Sequence, residues 1–167
     1  MTTRPPLWAV LGTLVSAPLF IAFVMGYVPY AITGWRVAPA FFGWEPVRWV
    51  GVALLVLSSL LVLEFVGRFV FEGHGTPFPL APPGCLVIGG AFRFVRNPSY
   101  VAAVLSVIGQ GLLFGSRDVL LYAVVLALAF HLFVVAYEEP VLREKFGADY
   151  EAYCRRVPRW VPRRPRG

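Results

Sequence analysis

Four stretches of the chain are apolar with few interruptions. Residues 7–32 carry no charge and are long enough to cross a bilayer with some tilt. Pro18, Gly26 and Pro29 fall inside this run. Proline in such a helix frees carbonyls that a neighbouring helix or water must satisfy, which predicts a kink near Pro18. A second run covers 47–71, with Glu64 and Arg68 four residues apart so that they can pair along one helix face; an intramembrane carboxylate is otherwise a functional candidate. Runs at 98–115 and 119–137 are separated by a tight turn through Ser116, Arg117 and Asp118, predicting an antiparallel helical hairpin. Beyond them, Leu142, Phe146, Tyr150 and Tyr153 recur at near-helical spacing against Arg143, Lys145, Arg155 and Arg156, the pattern of an amphipathic surface helix over 141–156. The predicted fold is all-α: a polytopic membrane helix bundle of about four transmembrane helices plus a C-terminal amphipathic helix.

The polar punctuation between these runs carries the candidate chemistry. Residues 33–48 bring Trp35, Phe41, Phe42 and Trp44 together near Trp49, as at a membrane interface. Residues 72–97 form the one long connection; its glycines and prolines preclude regular helix, and long structured loops are usually functional. His74 within it reads either as a proton carrier or ligand contact, or as an ordinary loop histidine. At the end of the loop Asn97 can cap the next helix and Pro98 fits its first position. With Arg93 and Arg96 just ahead, this helix start suits a carboxylate or phosphate; the plainer reading is a capped helix whose arginines face headgroups. In the fourth run His131 and Glu138 lie seven residues apart and share a face. Helical phase therefore points Glu138 inward and Glu139, about 100° away, toward water. His131 reads equally as a packed histidine bonded to neighbouring backbone.

Composition agrees with the pattern. Hydrophobic residues make up 58% and charged residues 14%, with a mean hydropathy of +0.70, against about 25% charged in a soluble domain. The net charge of +6 does not imply nucleic acid, because the basic residues sit at the ends of apolar runs. In a four-span topology one side holds 12 of the 15 basic residues and the other only Arg36, Arg48 and Arg117. That bias predicts a multi-pass protein of the cytoplasmic membrane with both termini cytoplasmic. The basic tail, 157–167, reads as an arm on anionic headgroups. Cys85 and Cys154 suggest neither a disulfide framework nor a metal site. No cleaved signal peptide is expected, since the first run is too long and only Arg4 precedes it. The chain divides as one domain: two spans in 1–71, the long connection with the later runs in 72–158, and the tail from 159.

The run Leu86-Val-Ile-Gly-Gly-Ala-Phe-Arg-Phe-Val-Arg-Asn-Pro-Ser-Tyr100, followed by Glu138-Glu139 and by Phe146-Gly147 with Tyr150 and Tyr153, resembles the isoprenylcysteine carboxyl methyltransferase family. Related membrane phospholipid methyltransferases share the Arg-His-Pro-x-Tyr and Glu-Glu elements. The resemblance covers roughly residues 73–158. It implies S-adenosylmethionine (AdoMet) as methyl donor, held at the cytosolic side by Leu86, Val87, Phe92, Arg96, Asn97, Pro98, Ser99, Tyr100 and Glu138. It also implies a lipid-like or isoprenylated methyl acceptor.

Local chemistry is compatible with that implication. The zwitterionic end of AdoMet needs an anion seat, and a buried carboxylate can accept ribose hydroxyls. Methyl transfer from a sulfonium depends mainly on positioning and water exclusion. The chain departs from the family where Asn97 replaces the histidine before the proline and Phe92 replaces a tyrosine. Phe133, Val134 and Val135 stand where arginines meet the prenylcysteine carboxylate in eukaryotic relatives, which argues for a different amphiphile. Two other classes compete: a non-catalytic homologue, which would not bind AdoMet, and a small transporter using Glu64 and His131. Against the transporter, the spans show no internal repeat and the polar groups gather on one face.

Overall fold

A computed structural model describes residues 18–72, 86 and 88–163, with 66–72 described by their backbone alone. The start of the first apolar run, the Arg68 side chain, His74, Cys85, Val87, Arg164 and Arg166 lie outside the described residues. All regular elements among the described residues are helical: α1 (Pro18–Thr33), α2 (Pro46–Glu72), α3 (Pro98–Phe114), α4 (Arg117–Phe133) and α5 (Glu139–Arg156), with short 3₁₀ turns at Phe41–Gly43 and Gly90–Arg93. Two stretches are long and apolar enough to cross a membrane, Pro46–Phe65 and the continuous helix Arg117–Arg156 that joins α4 to α5. Two shorter apolar helices, α1 and α3, accompany them.

The chain forms two compact units. One comprises Phe20–Val62 and Ser99–His131; the other comprises Met1–Leu19, Leu63–Pro98 and Leu132–Gly167.

In the first of these units small residues set the helix spacing. A Cβ on Gly51 would run into the Gly109 carbonyl, and a Cβ on Gly109 into that of Gly51, so α2 and α3 pack backbone to backbone. Further along the same pair, Ser58 Oγ donates to the Ala102 carbonyl at 2.9 Å. The predicted α3–α4 hairpin is present. Gly115 (φ 68°) ends α3 in the left-handed conformation, and Ser116 Oγ accepts the Val119 N–H at 3.3 Å to open α4. Arg48 donates to the Leu113 and Ala38 carbonyls, so its charge satisfies the C-terminal end of α3. Of the 35–49 aromatics Trp35, Phe42, Trp44 and Trp49 are exposed, Phe42 completely, and Phe41 is half-buried.

Proline shapes α1, at Pro29. Residues Phe23–Tyr27 form a wide π turn closed by the Val28 N–H on the Phe23 carbonyl. This frees the Val24 carbonyl, and Pro29, lacking an N–H, leaves the Met25 carbonyl without its helical partner. Both find side chains: Tyr122 Oη donates to Val24 O at 3.0 Å and Gln110 Nε2 to Met25 O at 2.8 Å. The freed carbonyls are thus satisfied by side chains of neighbouring helices, as burial away from water requires.

Candidate functional site

The second unit holds the charged cluster. Its first component is the Gly90–Arg93 turn, where Glu64 Oε1 accepts the Ala91 N–H at 3.3 Å and the Phe65 and Phe92 rings lie 6.3 Å apart. Glu64 thus contributes to holding the loop that leads to α3.

The second component is the junction of α4 and α5. Residues Val134–Glu138 form another π turn, closed by the Glu139 N–H on the Val134 carbonyl and followed by Pro140. The arrangement repeats that of α1, with the proline six residues after the turn begins. A π turn takes one more residue than an α turn, which sets everything after it back by about 100°. The buried positions of the helix run Val119, Ala123, Leu126, Phe130 and Val134, and the next is Glu139, five residues on. Phase along an ideal helix places Glu138 inward and Glu139 outward; in the structure Glu139 is the more deeply buried of the two. Glu139 is 2% exposed, Glu138 is half-buried and His131 is exposed.

Glu139 Oε1 accepts from Arg96 Nη1 (3.1 Å) and Arg159 Nε (2.6 Å), and Oε2 from Arg159 Nη2 (3.0 Å) and Arg143 Nη2 (3.2 Å). The Arg159 contact is the two-pronged geometry that a guanidinium offers a carboxylate. Its hydrogen bond to Glu139 raises the Arg159 pKa above its ordinary value, while partial burial pulls the other way. Arg143 also donates to Glu151 Oε1 at 2.8 Å, eight residues away. Gly147, at φ 49° and ψ −122°, breaks α5 between them and lets the two side chains meet.

The C-terminal segment closes the cluster. Val157 leaves the helix in extended conformation. The Arg96 N–H donates to Pro158 O at 2.9 Å and the Arg163 N–H to Phe94 O at 3.0 Å, while Asn97 Nδ2 donates to Arg159 O at 3.2 Å. Arg96 Nη1 also reaches Cys154 Sγ at 2.8 Å, and Tyr153 Oη donates to Phe92 O at 2.7 Å. The apolar side of α5 faces inward: Tyr150, Tyr153 and Val157 form a small core with Leu86, Leu142, Phe146 and Cys154.

The residues expected to hold the methyl donor are therefore distributed as follows. Leu86, Phe92, Arg96, Asn97, Pro98 and Glu138 lie in this unit, Leu86, Phe92 and Glu138 being half-buried. Ser99 and Tyr100 begin α3 in the other unit, with the Tyr100 ring 4.7 Å from that of Phe130. Side chains of Arg96 and Asn97 are engaged within the protein. Sequence reasoning passed over Glu139, Arg143, Arg159 and Cys154 as a cluster. The signal for Glu139 was Pro140, at the spacing that Pro29 also follows.

The profile of the phospholipid methyltransferase family matches residues 46–149, more than half of the chain. Over 78 residues the chain is 36% identical to Protein-S-isoprenylcysteine O-methyltransferase of Schizosaccharomyces pombe, a stretch that takes in 46% of this chain and 33% of that relative. The alignment thus spans a third of the relative's length. With the matched region running from α2 through the arginine-bound glutamate of α5, this chain belongs to the phospholipid methyltransferase family.

Proposed function

We propose that the protein is an AdoMet-dependent, multi-pass membrane methyltransferase acting on a lipid-like or isoprenylated acceptor, with its charged cluster and both termini on the cytoplasmic side. The observation that carries the reading is the family match from 46 to 149, which includes the half-buried Phe92 and Glu138 in one compact unit. These two residues fit the donor's chemistry: Phe92 offers a flat apolar face to a base, and Glu138 a carboxylate to ribose hydroxyls. Bound AdoMet would supply an electrophilic methyl group on a sulfonium, lost to the acceptor with the S–C bond electrons returning to sulfur.

The chain's own residues then have positional work. Leu86, Phe92 and Glu138 bind and orient, while Arg96, Asn97 and Pro98 shape the backbone that follows Phe92. Exposed apolar side chains along Arg117–Phe133, among them Leu121, Val124, Val125 and Leu128, suit a bilayer from which an amphiphilic acceptor can enter. Excluding water and aligning the acceptor in line with the methyl group supply the rate.

The test is purified protein in detergent with methyl-labelled AdoMet and a membrane-lipid extract. Label in a lipid-phase product is the expected result. Absence of AdoMet binding in titration calorimetry would overturn the reading, as would turnover confined to freely soluble acceptors.

A further inference from the structure

The Glu139 carboxylate has no capacity left for a ligand. A carboxylate has about four lone-pair positions, and Glu139 fills them with two bonds from Arg159, one from Arg96 and one from Arg143. It is also 2% exposed. Every one of those bonds comes from within the protein.

Its three partners come from three places in the sequence. Arg143 lies one turn along α5, Arg96 lies in the segment before α3, and Arg159 lies in the strap formed by residues 157–163. Strap and segment also bond directly, through the Arg96 N–H on Pro158 O, the Arg163 N–H on Phe94 O and Asn97 Nδ2 on Arg159 O. Segment and strap are therefore joined twice, once by the Arg96 and Arg159 side chains through Glu139 and once by the main-chain bond of the Arg96 N–H to Pro158 O. Closing that ring fixes the distance between strap and segment more tightly than either connection alone. Pro158 and Pro162 restrict the strap and remove two N–H donors from it.

We infer that Glu139 is a positioning residue, the latch that holds the 157–163 strap on the 94–97 segment and so fixes the backbone carrying the methyl-donor site; it is not a ligand of the donor. The inference rests on the AdoMet site proposed above. It assigns different work to neighbouring glutamates: Glu138 to the donor, Glu139 to the frame.

The experiment uses the full chain in detergent and compares the parent with Glu139→Gln, Arg159→Gln and Arg159→Lys. Hydrogen exchange of the ligand-free proteins is read beside AdoMet titration and the KM values of the lipid acceptor. Glu139→Gln and Arg159→Gln are expected to speed exchange in 94–97 and 158–163, leaving α2 and the middle of α3 unchanged. They should weaken AdoMet binding by about tenfold or more while acceptor KM stays within about twofold. Arg159→Lys keeps the charge but loses the fork, and should fall between. Should Glu139→Gln not fold, Arg159→Gln carries the test, since Arg96 and Arg143 remain on the carboxylate.

A merely structural role would lower the melting temperature but leave AdoMet affinity of the folded fraction unchanged; that result overturns the inference, as does unchanged exchange in the strap. Failure of the parent to bind AdoMet is a separate outcome. It overturns the donor site and with it the positioning role, and the exchange measurements then report on the latch alone.

Discussion

Deleting one residue from the π turn before Pro140 should be tolerated far better than deleting one from the regular helix seven residues earlier. Ala136 lies within the turn Val134–Glu138 and Ala129 within α4; both are exposed alanines. Deleting Ala129 rotates everything after it by about 100° and shifts it by about 1.5 Å. Phe130 and Val134, 8% and 1% exposed, then leave the face set by Val119, Ala123 and Leu126. Each costs about 1.5–3 kcal/mol of apolar burial, and separating Glu139 from its arginines adds about 3–5 kcal/mol. A total of about 6 kcal/mol or more rivals the whole stability of an ordinary domain, so this variant should not fold.

Deleting Ala136 instead converts an i→i+5 turn to i→i+4 and keeps Val134 and Glu139 in phase. Its cost is the Pro140 ring against the carbonyl four residues back, about 3 kcal/mol, which Pro140→Ala removes. The double variant should melt within about 5 °C of the parent by tryptophan fluorescence in detergent, given about 2–4 °C per kcal/mol at this chain length. Equal melting temperatures for the Ala129 deletion and the double variant would refute the phase argument.

Three further outcomes are open to direct measurement. Tyr122→Phe removes the donor to the buried Val24 carbonyl and should cost about 1–3 kcal/mol in chemical unfolding, whereas Tyr137→Phe, on an exposed ring, should cost much less. Gly147→Ala places a Cβ in open space but at a φ of 49°; it should lose about 1–3 kcal/mol through backbone strain alone and abolish any coupling between Arg143 and Glu151 in a double-mutant cycle. Reporters fused at Gly43 and after Gly167 should fall on opposite sides of the membrane, and the same side for both would contradict a four-span topology.

What the sequence made legible was whatever depends on local pattern. The α3–α4 hairpin followed from an apolar run on each side of Gly115 and Ser116, because a left-handed C-cap and a serine N-cap are local devices. The inward side of α5 was visible as Leu142, Phe146, Tyr150 and Tyr153, but the same spacing serves a lipid surface or a protein core, and here Leu86 and Val157 help cover it. The Glu64 pairing with Arg68 involves a side chain outside the described residues; what Glu64 shows in addition is a contact to the Ala91 N–H, 27 residues away, which periodicity cannot reach. Arg159 lies in the proline- and arginine-rich tail whose composition suits anionic headgroups, and its bond to Glu139, 20 residues back, has no local signature.

Glu139, more deeply buried than Glu138, shows where helical phase loses its authority. A period of 3.6 residues carries a face reliably while every turn closes i→i+4. One π turn changes which of two adjacent residues is buried, and adjacent glutamates are the case in which the change matters most. With an α turn, Glu138 would follow Val134 on the buried face and Glu139 would fall outside it. Pro140 tips the balance, because an α closure would set its ring against a carbonyl and the wider turn relieves that crowding. The buried position thus passes to Glu139, which a single arginine would neutralise but which has three. The excess positive charge is partly met by Glu151 through Arg143, across a helix break that only glycine adopts readily. Pro140, Gly147 and the two glutamates are therefore one arrangement: the proline selects which carboxylate is buried, and the glycine folds α5 so that Glu151 can share the arginine charge around it.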